Sequence, residues 1–236
     1  SHKNLDDLQS GFRALQVSGE EQKEDPLDFV LWKLEKRESR HGRLLGVRVV
    51  QGGISSVQLC PKYLGEEIDI HAGGEDLIFP HHENEIAQSE CCNGKVFARY
   101  WMHNGFVNID NVKMSKSLGN FITVHDALKT IDGQVLRFFF ATQHYRKPIN
   151  FTEKAVRDAE TNLKYLKNTY EQPFTGEVDP ADLQGFVDKF IVAMDEDINA
   201  ANGITVVFEL AKWINSGHYN QDVKDALTKM LEVFGV

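Results

Sequence analysis

The octapeptide Lys113–Asn120, KMSKSLGN, carries two lysines flanked by serines and followed by a glycine. It follows a strand-like run and the turn-forming residues NIDN. Lysine is a compact positive charge, and two lysines on a mobile loop can neutralise charge that develops on polyphosphate oxygens when phosphorus is attacked. A lone K-x-x-K spacing is more often a solvated surface loop. A catalytic role for Lys113 and Lys116 therefore depends on the complete octapeptide.

The segment PHHENEIAQ places His81 and Glu85 four residues apart. On a helix this spacing puts the imidazole and the carboxylate on one face, within reach of a single metal ion. Taken alone, such a pair is more often a contact between surface neighbours. Both interpretations stay open on spacing alone.

The motif HAGGED, from His71 to Asp76, follows the strand-like run EEIDI. Gly73 and Gly74 at a strand end allow the backbone to approach a nucleotide closely, and a following helix start offers N–H groups to its phosphates. A glycine turn that serves only the fold is the alternative, and it is favoured for this motif by itself.

The elements that must position these residues divide into an α/β part and a helical part. Between residues 62 and 121, strand-like runs are interrupted by glycines and by the helical stretch FPHHENEIAQSE, whereas a short helix is predicted earlier, in DPLDFVLWKLEK. After Thr123 helical periodicity dominates, and a boundary is predicted near residue 150. Two apolar stripes indicate a helical bundle: Ala155, Val156, Ala159, Leu163 and Leu166, then Leu183, Val187, Phe190, Ile191 and Met194.

Composition limits the class of protein. The 236 residues are 42% apolar, which is enough for a real core, and no apolar run reaches the length needed to cross a bilayer. We predict a cytoplasmic protein without a membrane partner, and the adjacent Cys91 and Cys92 fit a reducing compartment. The net charge of -9 argues against a broad nucleic-acid footprint, and the local basic run 144–147 is interpreted as solvated surface.

Longer stretches around these motifs resemble one family. The octapeptide is the signature loop of class I aminoacyl-tRNA synthetases, and two stretches closely resemble the cysteinyl-tRNA synthetases: DIHAGGEDLIFPHHENEIAQSE and YWMHNGFVNIDNVKMSKSLGNF. NLDDLQSG, LRFFFATQHYRKPINFTE and AMDEDINAANGI extend the resemblance over most of the chain. It implies an interior fragment that lacks the N-terminal HIGH half and the C-terminal anticodon-binding end. The implied fold class is α/β: the C-terminal half of a Rossmann-like nucleotide-binding domain (1–121), then an α-helical stem-contact connector (122–150) and a helical bundle (151–236).

The resemblance also implies a reaction and its ligands. ATP and cysteine would form cysteinyl-adenylate, and the cysteinyl group would then pass to tRNA(Cys), with zinc and magnesium as cofactors and a monomeric enzyme. Lys116, supported by Lys113, would neutralise phosphate charge. The ATP site would comprise Lys116, His71, Gly73 and Gly74; the family's usual HGGG differs here at Ala72.

The implied amino-acid site lies around the same motifs. Asp76 would lie near the bound amino acid, and His81 and Glu85 would bind zinc together with two cysteines. Zinc would then bind the substrate thiolate, because soft sulfur prefers zinc where a serine hydroxyl does not. Two alternatives stay open: a paralogue that couples cysteine to a small amine, and a non-catalytic remnant of the synthetase.

The apolar run Leu44–Cys60, LLGVRVVQGGISSVQLC, departs from the resemblance. There the family implies a segment like PWGKGRPGWHIECSVM, with a tryptophan near the substrate thiol and one zinc-binding cysteine. Codons for the run can be chosen so that reading from the third base of the Leu44 codon gives this peptide. We therefore hypothesise that two compensating frameshifts bracket residues 38 to 61. As the sequence stands, Ser56 replaces the expected cysteine ligand, and Cys60 is not assigned as one.

Overall fold

The computed structural model describes residues 63–115 and 117–236, together with the backbone of three strands at 32–34, 42–44 and 47–51. The chain forms two compact units, of which the first ends at His103 and the second runs from Asn104 to Val236. Each unit is described by itself below.

Three short strands form an antiparallel sheet in the first unit: β1 (Trp32–Leu34), β2 (Gly42–Leu44) and β3 (Val47–Gln51). Their order in the sheet is β1-β3-β2, with Trp32 opposite Gln51 and Gly42 opposite Val49. The predicted helix in DPLDFVLWKLEK is therefore wrong at 32–34. Apolar residues in this segment also alternate, and pairing with β3 gives the backbone groups partners that the short helical pattern alone did not reveal. The rest of that prediction lies outside the described residues.

A second sheet in this unit carries the HAGGED motif. It consists of β4 (Ile68–Gly74) and β5 (Ala98–Asn104), and the Ile68 N–H donates to the Phe97 carbonyl over 3.0 Å. Between the strands lie a 3₁₀ turn (Glu75–Leu77), a π-helical turn (Ile78–His82) and α1 (Glu83–Asn93). The predicted strand and helix are confirmed, although the regular helix begins later than the sequence indicates.

A hairpin in the second unit leads into the lysine octapeptide. Its strands are β6 (Val107–Ile109) and β7 (Val112–Lys113), and β8 (Ile149–Phe151) pairs parallel to β6. The two turn residues, Asp110 and Asn111, have φ of 49° and 66°. Two left-handed residues match the right-handed twist of the flanking strands, so the predicted NIDN turn is confirmed.

The helices of the second unit follow the predicted order. They are α2 (Val124–Ala127), α3 (Gly133–Ala141), α4 (Glu153–Tyr170), α5 (Pro180–Asp195), α6 (Ala200–Asn215) and α7 (Gln221–Phe234). Side chains of Thr152, Asp179, Asn199 and Asn220 accept backbone N–H bonds at the starts of the last four. These caps satisfy donors that a helix start otherwise leaves without partners.

The core of the second unit lies between these helices. Its fully buried side chains include Leu166, Val207, Leu210, Tyr219 and Leu227. The predicted stripe on α4 is confirmed. On α5 the prediction is wrong for Ile191, which is 48% exposed, because the buried face is centred on Phe190 and Ala193.

The predicted divisions after residues 121 and 150 both fall inside the second unit and stay predictions. None of the helices in the described ranges combines the length and the apolar character needed to cross a bilayer.

Candidate functional site

A cluster of histidines lies where β4 meets the π-helical turn and α1. His71 Nε2 lies 2.8 Å from Glu85 Oε2, and the two side chains are 21% and 17% exposed. The carboxylate accepts this hydrogen bond, so His71 Nε2 carries the proton. A partly buried carboxylate is thus held in place by a residue of the HAGGED motif.

His82 lies at the centre of the cluster and is only 5% exposed. Its Nδ1 lies 2.8 Å from His103 Nε2, and its ring meets that of His71 edge-on with 4.9 Å between centroids. Trp101 covers both rings, at 4.7 Å from His71 and 5.2 Å from His82. Burial and the neighbouring His71 lower the pKa of His82, which favours its neutral form.

Gly73 is required for this packing. A Cβ on Gly73 would lie 2.8 Å from His82 Cε1 and 3.1 Å from Leu77 Cδ1. The absence of a side chain therefore lets the imidazole pack against the end of β4. The predicted nucleotide contacts of Gly73 and Gly74 are not tested by this packing and stay predictions.

The cluster offers a set of metal ligands. One ligand atom each from His71, His82 and Glu85 lies within 4.8 Å of the others. Two imidazoles and a carboxylate are a ligand set found in catalytic zinc sites, where about 2.1 Å bonds hold the ligands roughly 3.4 Å apart. The donors fit zinc by type and number.

Of the predicted pair, Glu85 belongs to the ligand group, whereas His81 does not. Within the described residues the ligand group contains His82, whereas His81 is exposed. The reason is local: residues 78–82 form a π-helical turn in which Phe79 is extended (φ -130°, ψ 133°). The regular helix therefore begins at Glu83, and His82, three residues before Glu85, belongs to the ligand group in place of His81.

Sequence reasoning missed His82, Trp101 and His103. The spacing of Trp101 and His103 in the strand-like run WMHN could have indicated them, because residues two apart in a strand lie on the same face. His82 could not be separated from its neighbour His81 by spacing, since the choice depends on where the helix begins.

The lysine octapeptide in the second unit is closed by its last residue. The Ser115 N–H donates to Asn120 Oδ1 over 2.9 Å, and Asn120 Nδ2 donates to the Lys113 carbonyl over 3.2 Å. The Leu118 N–H donates to Ser115 Oγ over 3.3 Å, and Gly119 has φ of 70°. Asn120, for which no separate role was predicted, therefore ties both ends of the loop together.

The other predicted residues lie as follows. Lys113 Nζ lies 3.4 Å above the centroid of the Phe106 ring, a favourable place for a cation. Asp76 is exposed on the 3₁₀ turn after β4. Lys116 and Ser56 lie outside the described residues.

The predicted basic run 144–147 contains one neutralised charge. Arg146 Nε and Nη2 donate to the two oxygens of Asp197 over 2.5 and 2.9 Å, and the Tyr145 hydroxyl donates to Asp197 Oδ1 over 2.7 Å. Hydrogen bonds from Arg146 and then Tyr145 lower the pKa of Asp197 to about 2. The run is therefore a less basic surface than its sequence indicates.

Comparison with known proteins identifies the family of the chain that carries these sites. The family model described as "tRNA synthetases class I (C) catalytic domain" matches residues 1–161, more than half of the chain. The chain belongs to this family. A second model, the DALR domain, matches residues 189–236, which include α6 and α7. The predicted family and fold class are confirmed.

Individual relatives agree with this assignment. The Cysteine–tRNA ligase of Streptococcus pneumoniae is 67% identical over 237 residues, covering 100% of this chain and 53% of that protein. That of Streptococcus mutans is 65% identical over the same lengths. The chain thus spans about half the length of these relatives. Among solved structures, LeuRS in its ternary complex with tRNA and LeuAMS, from Agrobacterium radiobacter, shares the fold: the TM-score is 0.56 at 14% identity, over 82% of this chain and 31% of that one.

Proposed function

We propose that this chain is part of a cysteine–tRNA ligase, which uses ATP to form cysteinyl-adenylate and then transfers cysteine to tRNA(Cys). The observation that carries the proposal is the 67% identity to a protein of that name, over the full length of the chain. We also propose that magnesium binds together with ATP and that the enzyme is a cytoplasmic monomer.

In this reaction the lysine octapeptide stabilises the polyphosphate. As cysteine attacks the α-phosphorus of ATP, negative charge moves onto the departing pyrophosphate, and the ammonium groups of Lys113 and Lys116 lower the energy of that charge. The hydrogen bonds of Asn120 support this role, since they hold the loop ends while Ser117, Leu118 and Gly119 stay exposed. Removing one such charge typically costs about a hundredfold to a thousandfold in rate.

The histidine cluster is the proposed amino-acid site. Zinc, when bound there, supplies a soft Lewis acid that selects a thiolate over a hydroxyl. Glu85 belongs to both ligand sets under consideration, the predicted pair with His81 and the observed group with His71 and His82. Asp76 is proposed to lie near the bound amino acid, and His71, Gly73 and Gly74 near the adenylate.

Binding of the substrate sulfur to zinc would supply a discrimination between cysteine and serine that an apolar pocket cannot. Discrimination by size in an apolar pocket reaches only about ten- to two-hundredfold for one methylene group. Serine and cysteine differ by oxygen against sulfur, so a ligand preference separates them better than shape.

The test is cysteine-dependent exchange of pyrophosphate into ATP, followed by aminoacylation of tRNA(Cys), with the complete product of the gene. Exchange with cysteine but not with serine, together with aminoacylation, is the expected result. Exchange without tRNA acceptor activity would instead favour the paralogue that couples cysteine to a small amine. Absence of both activities from a folded protein would favour the non-catalytic remnant.

A further inference from the structure

The carboxylate of Asp197 joins two segments that are distant in sequence. It lies in the connection between α5 and α6, and it accepts hydrogen bonds from Arg146 and Tyr145, in the loop that leads into β8. Three donors on one carboxylate, two of them from a planar guanidinium, fix the orientation of the loop as well as its distance.

The backbone that presents this carboxylate is unusual. Asp197 and Ile198 have φ of 59° and 53°, a region that side chains rarely adopt and that a β-branched residue avoids. The Ala200 N–H donates to the Ile198 carbonyl over 2.7 Å, and Asn199 caps α6 by accepting from the Asn202 N–H over 3.1 Å. Such conformations persist where the surrounding contacts require them, and here they aim Asp197 at the loop.

The far side of the loop contacts the strand that carries the hairpin. The Gly105 N–H donates to the Tyr145 carbonyl and the Ile149 N–H to the Phe106 carbonyl, each over 2.8 Å. A Cβ on Gly105 would lie 2.4 Å from the Lys147 carbonyl carbon, so the two backbones touch. The loop is therefore packed directly against the start of β6.

From β6 the contacts continue to the octapeptide. β6 pairs with β7, which ends at Lys113, and the Met114 N–H donates to the Val107 carbonyl over 2.9 Å. A continuous series of contacts thus runs from Asp197 through Arg146 and the loop to the base of the lysine octapeptide.

We propose that Asp197 is a positioning residue, which acts through Arg146 and Tyr145 to fix the base of the lysine octapeptide. The part of the proposal that concerns catalysis rests on the proposed function. The side chains of Arg146 and Asp197 are 52% and 43% exposed, and exposed ion pairs contribute little to global stability. We therefore expect Asp197 to affect the order of the loop that leads into β8 and not the stability of the whole second unit.

The first test is amide hydrogen exchange in the 236-residue chain, comparing Asp197→Asn with the control Asp195→Asn. Asp195, at the end of α5, receives the same acid-to-amide change two residues away. We expect Asp197→Asn to accelerate exchange at Gly105, Met114 and Ile149 at least tenfold. The amides of α4 to α7 and the melting temperature should match wild type, and the control should change none of these.

Arg146→Lys provides a second variant. Lysine keeps the positive charge but cannot bind both carboxylate oxygens in a planar fork. Loosening of the same amides as in Asp197→Asn would show that the fork positions the loop. Unchanged exchange at Gly105, Met114 and Ile149 in Asp197→Asn would overturn the proposal, and so would uniform acceleration throughout the second unit.

The second readout is pyrophosphate exchange with the complete gene product. Asp197→Asn should lower kcat about tenfold with the KM for cysteine unchanged, because the amino-acid site lies in the other unit. An active Asp197→Asn variant with wild-type kcat would remove the catalytic part of the proposal. If wild type itself were inactive, the proposed function would fail, whereas the hydrogen-exchange result would still decide the positioning role.

Discussion

Replacement of Gly105 by alanine should destabilise the second unit far more than its small size suggests. The added Cβ would lie 2.4 Å from the Lys147 carbonyl carbon and 2.6 Å from both the Lys147 oxygen and the Pro148 nitrogen. All three are backbone atoms, so rotation of a side chain cannot relieve the overlap. The two segments must separate by about an ångström to reach ordinary contact distance.

Two contributions determine how much Gly105→Ala lowers the free energy of unfolding. Inserting one carbon into a packed site costs typically about 1–3 kcal/mol. Separation also weakens two backbone hydrogen bonds, from Gly105 to Tyr145 and from Ile149 to Phe106, each worth roughly 0.5–1.5 kcal/mol. We therefore expect Gly105→Ala to lower the free energy of unfolding by about 2–6 kcal/mol, with the upper end reached if both hydrogen bonds are lost.

Gly185→Ala is the matched control, since it makes the same chemical change inside α5, where an added Cβ meets nothing within 4 Å. Alanine is favoured over glycine in a helix by about 1 kcal/mol, so this variant should be more stable than wild type. The measurement is urea unfolding followed by helix circular dichroism, which reports mainly on the helix-rich second unit. A Gly105→Ala variant within about 0.5 kcal/mol of wild type would refute the claim that the two backbones touch.

Three further predictions concern single sites. If His71, His82 and Glu85 are the zinc ligands, zinc content should fall below one tenth of wild type in His82→Ala and stay near wild type in His81→Ala. Loss of zinc in His81→Ala but not in His82→Ala would instead select His81 and Glu85. The pKa of Asp197 is about 2 against 3.8, so the local order that its carboxylate gives the loop should be present above about pH 4 and be lost as the pH falls towards 2. The difference in hydrogen exchange at Gly105 and Ile149 between wild type and Asp197→Asn should therefore shrink over that range, and a constant difference would contradict it. Intact mass and peptide sequencing across residues 38–61 should decide where the hypothesised frameshifts lie: the run LLGVRVVQGGISSVQLC places them in the gene, whereas a PWGKGRPGWHIEC peptide places them in the recorded sequence.

Sequence patterns were sufficient where one periodicity decided the outcome. The long stripe of α4 and the NIDN turn could be predicted because burial and backbone conformation at these positions depend on local residues. They were insufficient for the strand at 32–34, where a partner fifteen or more residues away determines the structure. The pairing of Arg146 with Asp197 is likewise invisible to spacing, since the two residues are brought together only by the bundle.

The histidine cluster shows the same limit at the level of chemistry. His81 and His82 differ by one position, which on a helix is a rotation of about 100°, so only one of them can face Glu85 at a time. The start of the regular helix at Glu83 selects His82, and the missing side chain of Gly73 leaves room for its ring. Winding the π-helical turn into α-helix would bring His81 over Glu85 and expose His82. A metal can favour that arrangement only by binding His81 more tightly than His82, by more than the cost of uncovering a ring now packed against His71 and Trp101. Comparing zinc affinity in Gly73→Ala with that of wild type separates the two arrangements, because the added Cβ displaces His82 and should weaken a site built on it while sparing one built on His81.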